Sequence, residues 1–443
     1  MQQINFRRPS PVGTLIVLTL ACVGSFMAGC GGGAGTAGGD GTHSTNPGPG
    51  CRAIAIGAGS TTLGTFEGHT CAVIEGGTVR CWGANNEGQL GDGNATPRTD
   101  ANKYAFDSDV PLGVPGITNA VAMAGGIYHT VVLLGDGTLR AWGNNRFGQL
   151  GNGTKTQSFT PVEVKLASGQ MLSNVVEIAA GDYHSVARLN DGTVWSWGWN
   201  QYGQLGNGIA VDSSNPVQVV GLPAAATALT ARFRGSCVIV ADAARTMRCW
   251  GDNEGGQLGD GNTKVHSNIP VQPVGITDAV ALDAGDHNNL VVLANGQIWG
   301  WGRNAEGQLG NGTNVNSPLP VLTKDINNAV AVTGGDIHSC ALLADKTARC
   351  WGRNVAGELG NGNNTGSSRV PVAVLNLTNV SAIVAGGLSS HGLLADGTVW
   401  SWGQNAHGQL GDGKHGLNNP NGSGADQQHS TIPVQVVGIG CSR

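Results

Sequence analysis

The chain is short of charge: only 12% of its 443 residues are Asp, Glu, Lys or Arg, and the formal net charge is −5. It is also short of aromatic residues, at 5%, with four tyrosines among them. No run of Lys and Arg with interleaved aromatic side chains occurs, and a mildly acidic surface repels a phosphate backbone, so nucleic-acid binding is not expected. No window carries a 3.6-residue apolar period long enough for a helical core. There is no phosphate loop, no Gly-x-Ser-x-Gly and no Ser-His-Asp order. Cysteines never stand in Cys-x-x-Cys spacing, which removes the ordinary zinc frameworks. These absences exclude most catalytic and cofactor-binding classes and leave no cofactor to expect.

Glycine and tryptophan, in contrast, are plentiful, at 74 and 11 residues, and they are periodic. The stretch Trp82-Gly83-Ala84-Asn85-Asn86-Glu87-Gly88-Gln89-Leu90-Gly91-Asp92-Gly93 recurs at Trp142, Trp197, Trp250, Trp301, Trp351 and Trp402. In every copy Asn stands three residues after the Trp and Gly-x-Leu-Gly-(Asp/Asn)-Gly closes the unit; Glu358 replaces the Gln of the other six. A fixed period near 50 residues means units that bury their apolar faces only against neighbours.

Each unit also holds short apolar or alternating runs separated by Gly-containing turns. Before Trp197 these are Val175–Gly181, His184–Leu189 and Thr193–Trp197, with Asn190-Asp191-Gly192 as a hairpin turn; Pro216-Val217-Gln218-Val219 follows the signature. Four strands per period, seven times, predict an all-β, seven-bladed β-propeller of four-stranded antiparallel blades, with Pro confined to an edge strand.

The unit resembles the repeat of the regulator of chromosome condensation (RCC) family, over roughly residues 51 to 441. WD repeats are shorter and want Trp-Asp, and sialidase-type Asp boxes have a different spacing. The resemblance implies a propeller used as a protein-binding platform. The family's eukaryotic founder is a nuclear exchange factor for a small GTPase that also binds chromatin, and its secreted bacterial relatives include an inhibitor of another protein.

The start of the chain reads as an export signal. Arg7 and Arg8 precede an uncharged apolar or small stretch, Val12 to Met27, too weakly apolar for a permanent span. Met27-Ala28-Gly29-Cys30 resembles a bacterial lipobox, which makes residues 1–29 a lipoprotein signal peptide and Cys30 the acylated residue. No acidic residue follows Cys30, so an outer-membrane destination is expected where the cell has one. Residues 30–50, Gly-rich and without large apolar side chains, are a tether of about 25 Å average reach at roughly 5–6 Å × √n. Residues 51–443 are the propeller. Removing Arg7 and Arg8 leaves 22 basic residues against 29 acidic ones.

Cysteine placement predicts four disulfides. Cys71 and Cys81, and Cys340 and Cys350, flank three-residue hairpin loops and stand directly opposite each other; Cys237 and Cys249 flank a loop two residues longer. At these positions cysteine occurs at both or at neither: the other units carry Val131/Ala141, Val186/Ser196, Leu290/Gly300 and His391/Ser401. Cys51 precedes the first strand and Cys441 follows the last, so the two are expected to lock the ring's seam in an oxidising compartment.

His69, His129, His184 and His338 share one register before the second strand, with Asn288 and Ser389 in two other units. Recurrence around a ring separates them, so they read as turn or blade-edge hydrogen-bonders. The seven signature asparagines read as loop-fixing residues. Asp92, Asp260 and Asp412 supply one carboxylate per loop, too few for calcium, and no metal site is expected.

Positions that do not repeat are the informative ones. The residue before the signature's second Gly runs Glu87, Phe147, Tyr202, Gly255, Glu306, Ala356, His407. A constant framework with variable loop tips is how a scaffold presents a specific surface. The loops after blades one and seven, residues 94–110 and 414–432, are the longest, and these blades are neighbours in a closed ring. Tyr104 and Phe106 are large aromatics without framework duty. The expected binding residues are therefore Tyr104 and Phe106 as anchors over this seam, with Phe147 and Tyr202 flanking.

The sequence thus describes a monomeric, lipid-anchored, extracytoplasmic scaffold of the cell envelope, non-catalytic, binding a protein or glycan by one loop face. A propeller hydrolase or lyase acting on envelope polysaccharide would need a converging carboxylate pair. A guanine-nucleotide exchange factor fits the family but not an exported chain.

Overall fold

The computed structural model describes residues 51–61, 67–94, 107–263, 266–414 and 429–440. Residues 1–50 with Cys30, the anchors Tyr104 and Phe106, Cys441 and most of loop 414–432 lie outside the described residues.

Twenty-eight strands form seven separate four-stranded antiparallel sheets, each from four consecutive strands. Blade one is Ala53–Ala58, His69–Ile74, Val79–Gly83 and Ser108–Gly113; blade seven is Val380–Ala385, Ser389–Leu394, Val399–Gly403 and Ser430–Gln435. This is the seven-bladed propeller that the repeat predicts, with no strand lent across the seam. Because consecutive antiparallel strands alternate direction, the loops after the first and third strands of every blade share one face. The Asp-Gly hairpins and the links between blades share the other.

The fourth strand starts earlier than its Pro-Val dipeptide suggests: it is Ser158–Glu163 in blade two and Ser213–Gln218 in blade three. In blade three the register jumps from Ser196↔Val217 to Gly198↔Ser213, leaving Pro216 in a bulge opposite Trp197. A bulge on an outer strand is where a residue without an N–H costs nothing.

Seven apolar clusters fill the seven spaces between neighbouring blades. The one closing the ring joins Leu393, Val399, Val436 and Ile439 to Ala53, Ile56, Ala72 and Trp82. Every signature Trp is wholly buried. Its indole Nε1 donates to the backbone carbonyl of signature residue eight (Gln or Glu) in the preceding blade at 2.8–2.9 Å, at all seven interfaces, including Trp82 to Gln409 at the seam. The Gly beside that carbonyl is required twice over. Gly91 has φ +68°, and a Cβ there would lie 2.5 Å from Trp142 Nε1.

Histidines knit the same interfaces. His69, His129, His184 and His338 place Nε2 2.8–2.9 Å from the hydroxyls of Thr130, Ser185, Ser236 and Ser390 in the next blade. At the seam, where blade seven has Ser389, the ring of His391 replaces them and reaches Thr70 at 3.2 Å. Burial holds His69 near a pKa of about 4 and His129, His184, His338 and His391 near about 3.

Disulfides join Cys71–Cys81, Cys237–Cys249 and Cys340–Cys350, each pair directly opposed with Cα atoms 4.0–4.1 Å apart. Cys51 is buried, and its carbonyl accepts from Gly440 N at 2.8 Å, which brings the two ends of the ring together.

Candidate interaction face

The signature builds the face on which the first and third loops emerge. In every copy the Asn Oδ1 accepts from the backbone N–H of the signature Leu at 2.9–3.1 Å. The Gln or Glu side chain accepts from the N–H of the variable residue two positions earlier, at 2.7–3.0 Å. Asp92 caps its own turn, accepting from Asn85 Nδ2 and Asn94 N. The loop backbones are therefore fixed, while the tips vary.

Two groups of side chains stand on this face. The first is a band of aromatic residues over blades two to five. Phe147 lies 5.3 Å from Tyr183, edge-on, and 5.5 Å from Trp199; Trp199 lies 5.4 Å from Tyr202; Tyr128 lies 6.1 Å from Tyr183. Phe233 continues the band to His287 at 4.2 Å. Every described tyrosine belongs to it, and none of these residues occupies a repeated position. The Arg234 guanidinium stacks 4.5 Å over Tyr202 and over Phe233 and 5.2 Å over Trp199; Arg146 stacks 5.2 Å over Phe147. Burial, and then the Asp182 carboxylate, push the Tyr183 hydroxyl up to about 12.

The structure thus brings Phe147 and Tyr202 together around Trp199 and Tyr183. Spacing alone did not find Tyr128, Tyr183, Trp199, Phe233 and Arg234. The signal was there: all five sit where blades differ, in the short loop before the second strand or two residues after the signature Trp.

The second group is a buried polar hub. Arg232, from blade four, places Nη2 3.2 Å from Asp336 of blade six, Nε 3.9 Å from Asp286 of blade five, and donates from Nη1 to Ala385 O of blade seven at 3.1 Å. Ser60 of blade one donates to Asp286 and Asp336 at 3.1 and 3.0 Å, and Thr61 donates to Asp336. All five are under a tenth exposed. Burial raises the Asp286 carboxyl well above its usual range and Asp182 to about 7, with the Asp336 charge adding to both. Among the described residues no three His, Cys, Asp or Glu side chains group so as to hold a metal ion. Beside the hub a cavity of about 10 Å³ opens between blades four and five, lined by Gly235, Asn288 and Asn289 among others. That is the room of one water, and both polar atoms of Asn288 are buried there without partners.

The regulator of chromosome condensation (RCC1) repeat model matches residues 76–133, 136–188, 191–230, 295–342 and 396–441, and a second model of the same repeat matches the overlapping windows 120–149, 175–204, 279–308, 329–358 and 380–409. The chain belongs to the RCC1 repeat family. It is similar to the ultraviolet-B receptor UVR8 of Arabidopsis thaliana, at 31% identity over 56% of this chain and 53% of that one. It is also similar to the human E3 ubiquitin-protein ligase HERC2, at 29% identity over 55% of this chain and 5% of that protein. The chain therefore spans about half, or far less, of the curated relatives it matches. Among solved structures the fold matches Prp20p of Saccharomyces cerevisiae with a TM-score of 0.66 at 20% identity, covering 82% of this chain and 86% of that one. Human WBSCR16 matches with a TM-score of 0.63 at 21% identity, covering 76% and 85%.

Proposed function

We propose that this RCC1-type propeller is a non-catalytic binding scaffold, exported and held on the cell envelope through lipid on Cys30, that engages another protein with the face built by its signature loops. The observation that carries this reading is the aromatic band. Large rings cost a soluble surface dearly unless they are used, and here the repeat framework does not demand them. The converging carboxylates support a non-catalytic reading, since Asp182, Asp286 and Asp336 are buried around Arg232 and closed over by Ser60 and Thr61. Tyr104 and Phe106 extend the proposal to the seam between blades one and seven.

The test is cross-linking in intact cells with tagged full-length protein, followed by affinity capture. Wild type, Tyr183→Ala/Trp199→Ala and Tyr104→Ala/Phe106→Ala are compared, all confirmed to melt normally. A partner lost at least tenfold in one double variant supports the reading and says which stretch contacts it. A capture profile identical for all three proteins, or tagged protein found free of membrane and unlipidated, overturns the corresponding part.

A further inference from the structure

Three arginines stand in or beside the aromatic band with no carboxylate within salt-bridge distance among the described residues: Arg146, Arg234 and Arg303. Their acidic neighbours are engaged elsewhere or stand off them. Glu87 already accepts from Asn144 and Gln157, and Asp212 from Asn200 N with Lys155 beside it. Asp182 and Asp252 are buried and feel the Arg234 charge, which opposes the upward push of burial on both carboxyls, but neither comes within salt-bridge distance of it. Glu254, exposed, and Glu306, half-buried in the loop of Arg303, have carboxylates that accept no hydrogen bond, and neither is within salt-bridge distance of the three arginines.

Arg234 is the most constrained of the three. Three rings sandwich it, and its Nε is buried without a partner. The loop that positions it carries Phe233 at φ +48°, a left-handed conformation costly for a bulky side chain and typical of ligand-contacting loops. Arg303 and Arg234 both bear on the ring of His287, which burial keeps neutral, so the cationic stretch continues into blade five. A guanidinium stacked on an aromatic face keeps its in-plane N–H donors for a planar anion, and a carboxylate matches that fork.

We infer that the band from Arg146 to Arg303 is a docking surface for an acidic protein segment, one that sets Asp or Glu carboxylates on the stacked arginines and apolar side chains between the rings. This rests on the scaffold reading above and names the partner's chemistry. Tyr, Trp and Arg together favour a peptide over a sugar, because the rings meet edge to face rather than forming a flat shelf for a pyranose. The chain's overall acidity opposes such a partner only at long range, where salt screens it.

The test is selection of a random displayed dodecapeptide library on full-length protein, with Arg146→Gln/Arg303→Gln as the comparison and alginate as a polyuronate competitor. Both substitutions are at loop positions outside the hub, and the variant's melting curve is checked against wild type. The expected result is a pool enriched in Asp and Glu beside Leu, Phe or Trp, binding the variant at least tenfold more weakly and losing affinity as salt rises. A neutral or basic pool, an acidic pool that binds the variant equally, or no enrichment overturns the inference. Alginate that binds wild type where no peptide is enriched assigns the arginines to a glycan instead. A pool indifferent to the arginines but lost in Tyr183→Ala/Trp199→Ala removes the acidic-partner inference and leaves the scaffold reading standing.

Discussion

Arg232 and Gly235 have exchanged bulk. In blades two, three and six the same two positions are Gly126 and His129, Gly181 and His184, and Gly335 and His338, and a Cβ on any of these glycines would run into its own blade's imidazole. Blade four carries Gly where the imidazole would be, which frees the space for an arginine side chain to cross to Asp336 and Ala385. The swap removes the imidazole bridge from the interface of blades four and five and supplies the ring's central cation.

Removing that cation strands buried carboxylates. Arg232→Ala is expected to cost about 3–5 kcal/mol at pH 8. A stranded carboxyl has a folded pKa raised above its unfolded value near 3.9, so its penalty grows as pH rises through that window and shrinks as pH falls. Urea unfolding at pH 8 and pH 5 should show a much smaller deficit at the lower pH. A deficit equal at both pH values would mean that Arg232 acts by packing alone.

The buried histidines set the acid limit. Their folded pKa values of about 3 to 4 lie below the unfolded value near 6.5, so the unfolded chain takes up protons first as pH falls. Their contribution is complete above pH 6.5 and is lost progressively from there toward pH 3–4, at up to about 1.4 kcal/mol per pH unit for each ring. Buried carboxyls that burial raises, Asp182 to about 7 and Asp286 and Glu177 also upward, work in the opposite sense and offset part of the histidine slope. The melting temperature should fall steeply below pH 6, and His184→Gln should flatten that slope. A melting temperature constant from pH 7 to pH 4.5 would contradict this.

Two glycine substitutions separate crowding from backbone conformation. Gly206 (φ +63°) would bring a Cβ to 2.7 Å from Trp250 Nε1, whereas Gly221 (φ +76°) has nothing within 4 Å. Gly221→Ala should cost about 1–2 kcal/mol for the left-handed conformation alone. Gly206→Ala should cost about 1–3 kcal/mol more, because the indole must move. Equal melting temperatures for the two variants would show that the interface yields.

Non-reducing peptide mapping of exported protein should recover Cys71–Cys81, Cys237–Cys249 and Cys340–Cys350, together with a Cys51–Cys441 peptide. Each short hairpin link is worth about 2–3 kcal/mol on the chain-entropy model. Free thiols at these positions would rule out an oxidising compartment.

What the sequence showed plainly is what repeats. Trp, Asn, Leu and Gly recur at fixed offsets because each answers the same local need in every blade, and opposed cysteines follow from hairpin arithmetic. The hub was not legible, because Ser60, Arg232, Asp286 and Asp336 come from four blades and meet only where the ring's radii converge. Its one visible trace was a paired departure from the repeat at Arg232 and Gly235. The aromatic band was half legible. Phe147 and Tyr202 stand at variable signature tips, whereas Tyr183 and Trp199 stand at variable positions outside the signature, and only folding places the four rings side by side.

The tryptophan-to-carbonyl bond has a consequence for how such a gene can be rearranged. Since Trp82 meets Gln409 just as Trp142 meets Gln89, the seam of the ring carries the same indole-to-carbonyl bond as the other six junctions. A reordered gene that fuses the two ends, already within a hydrogen bond at Cys51 and Gly440, and opens instead at another blade junction would encode the same wheel.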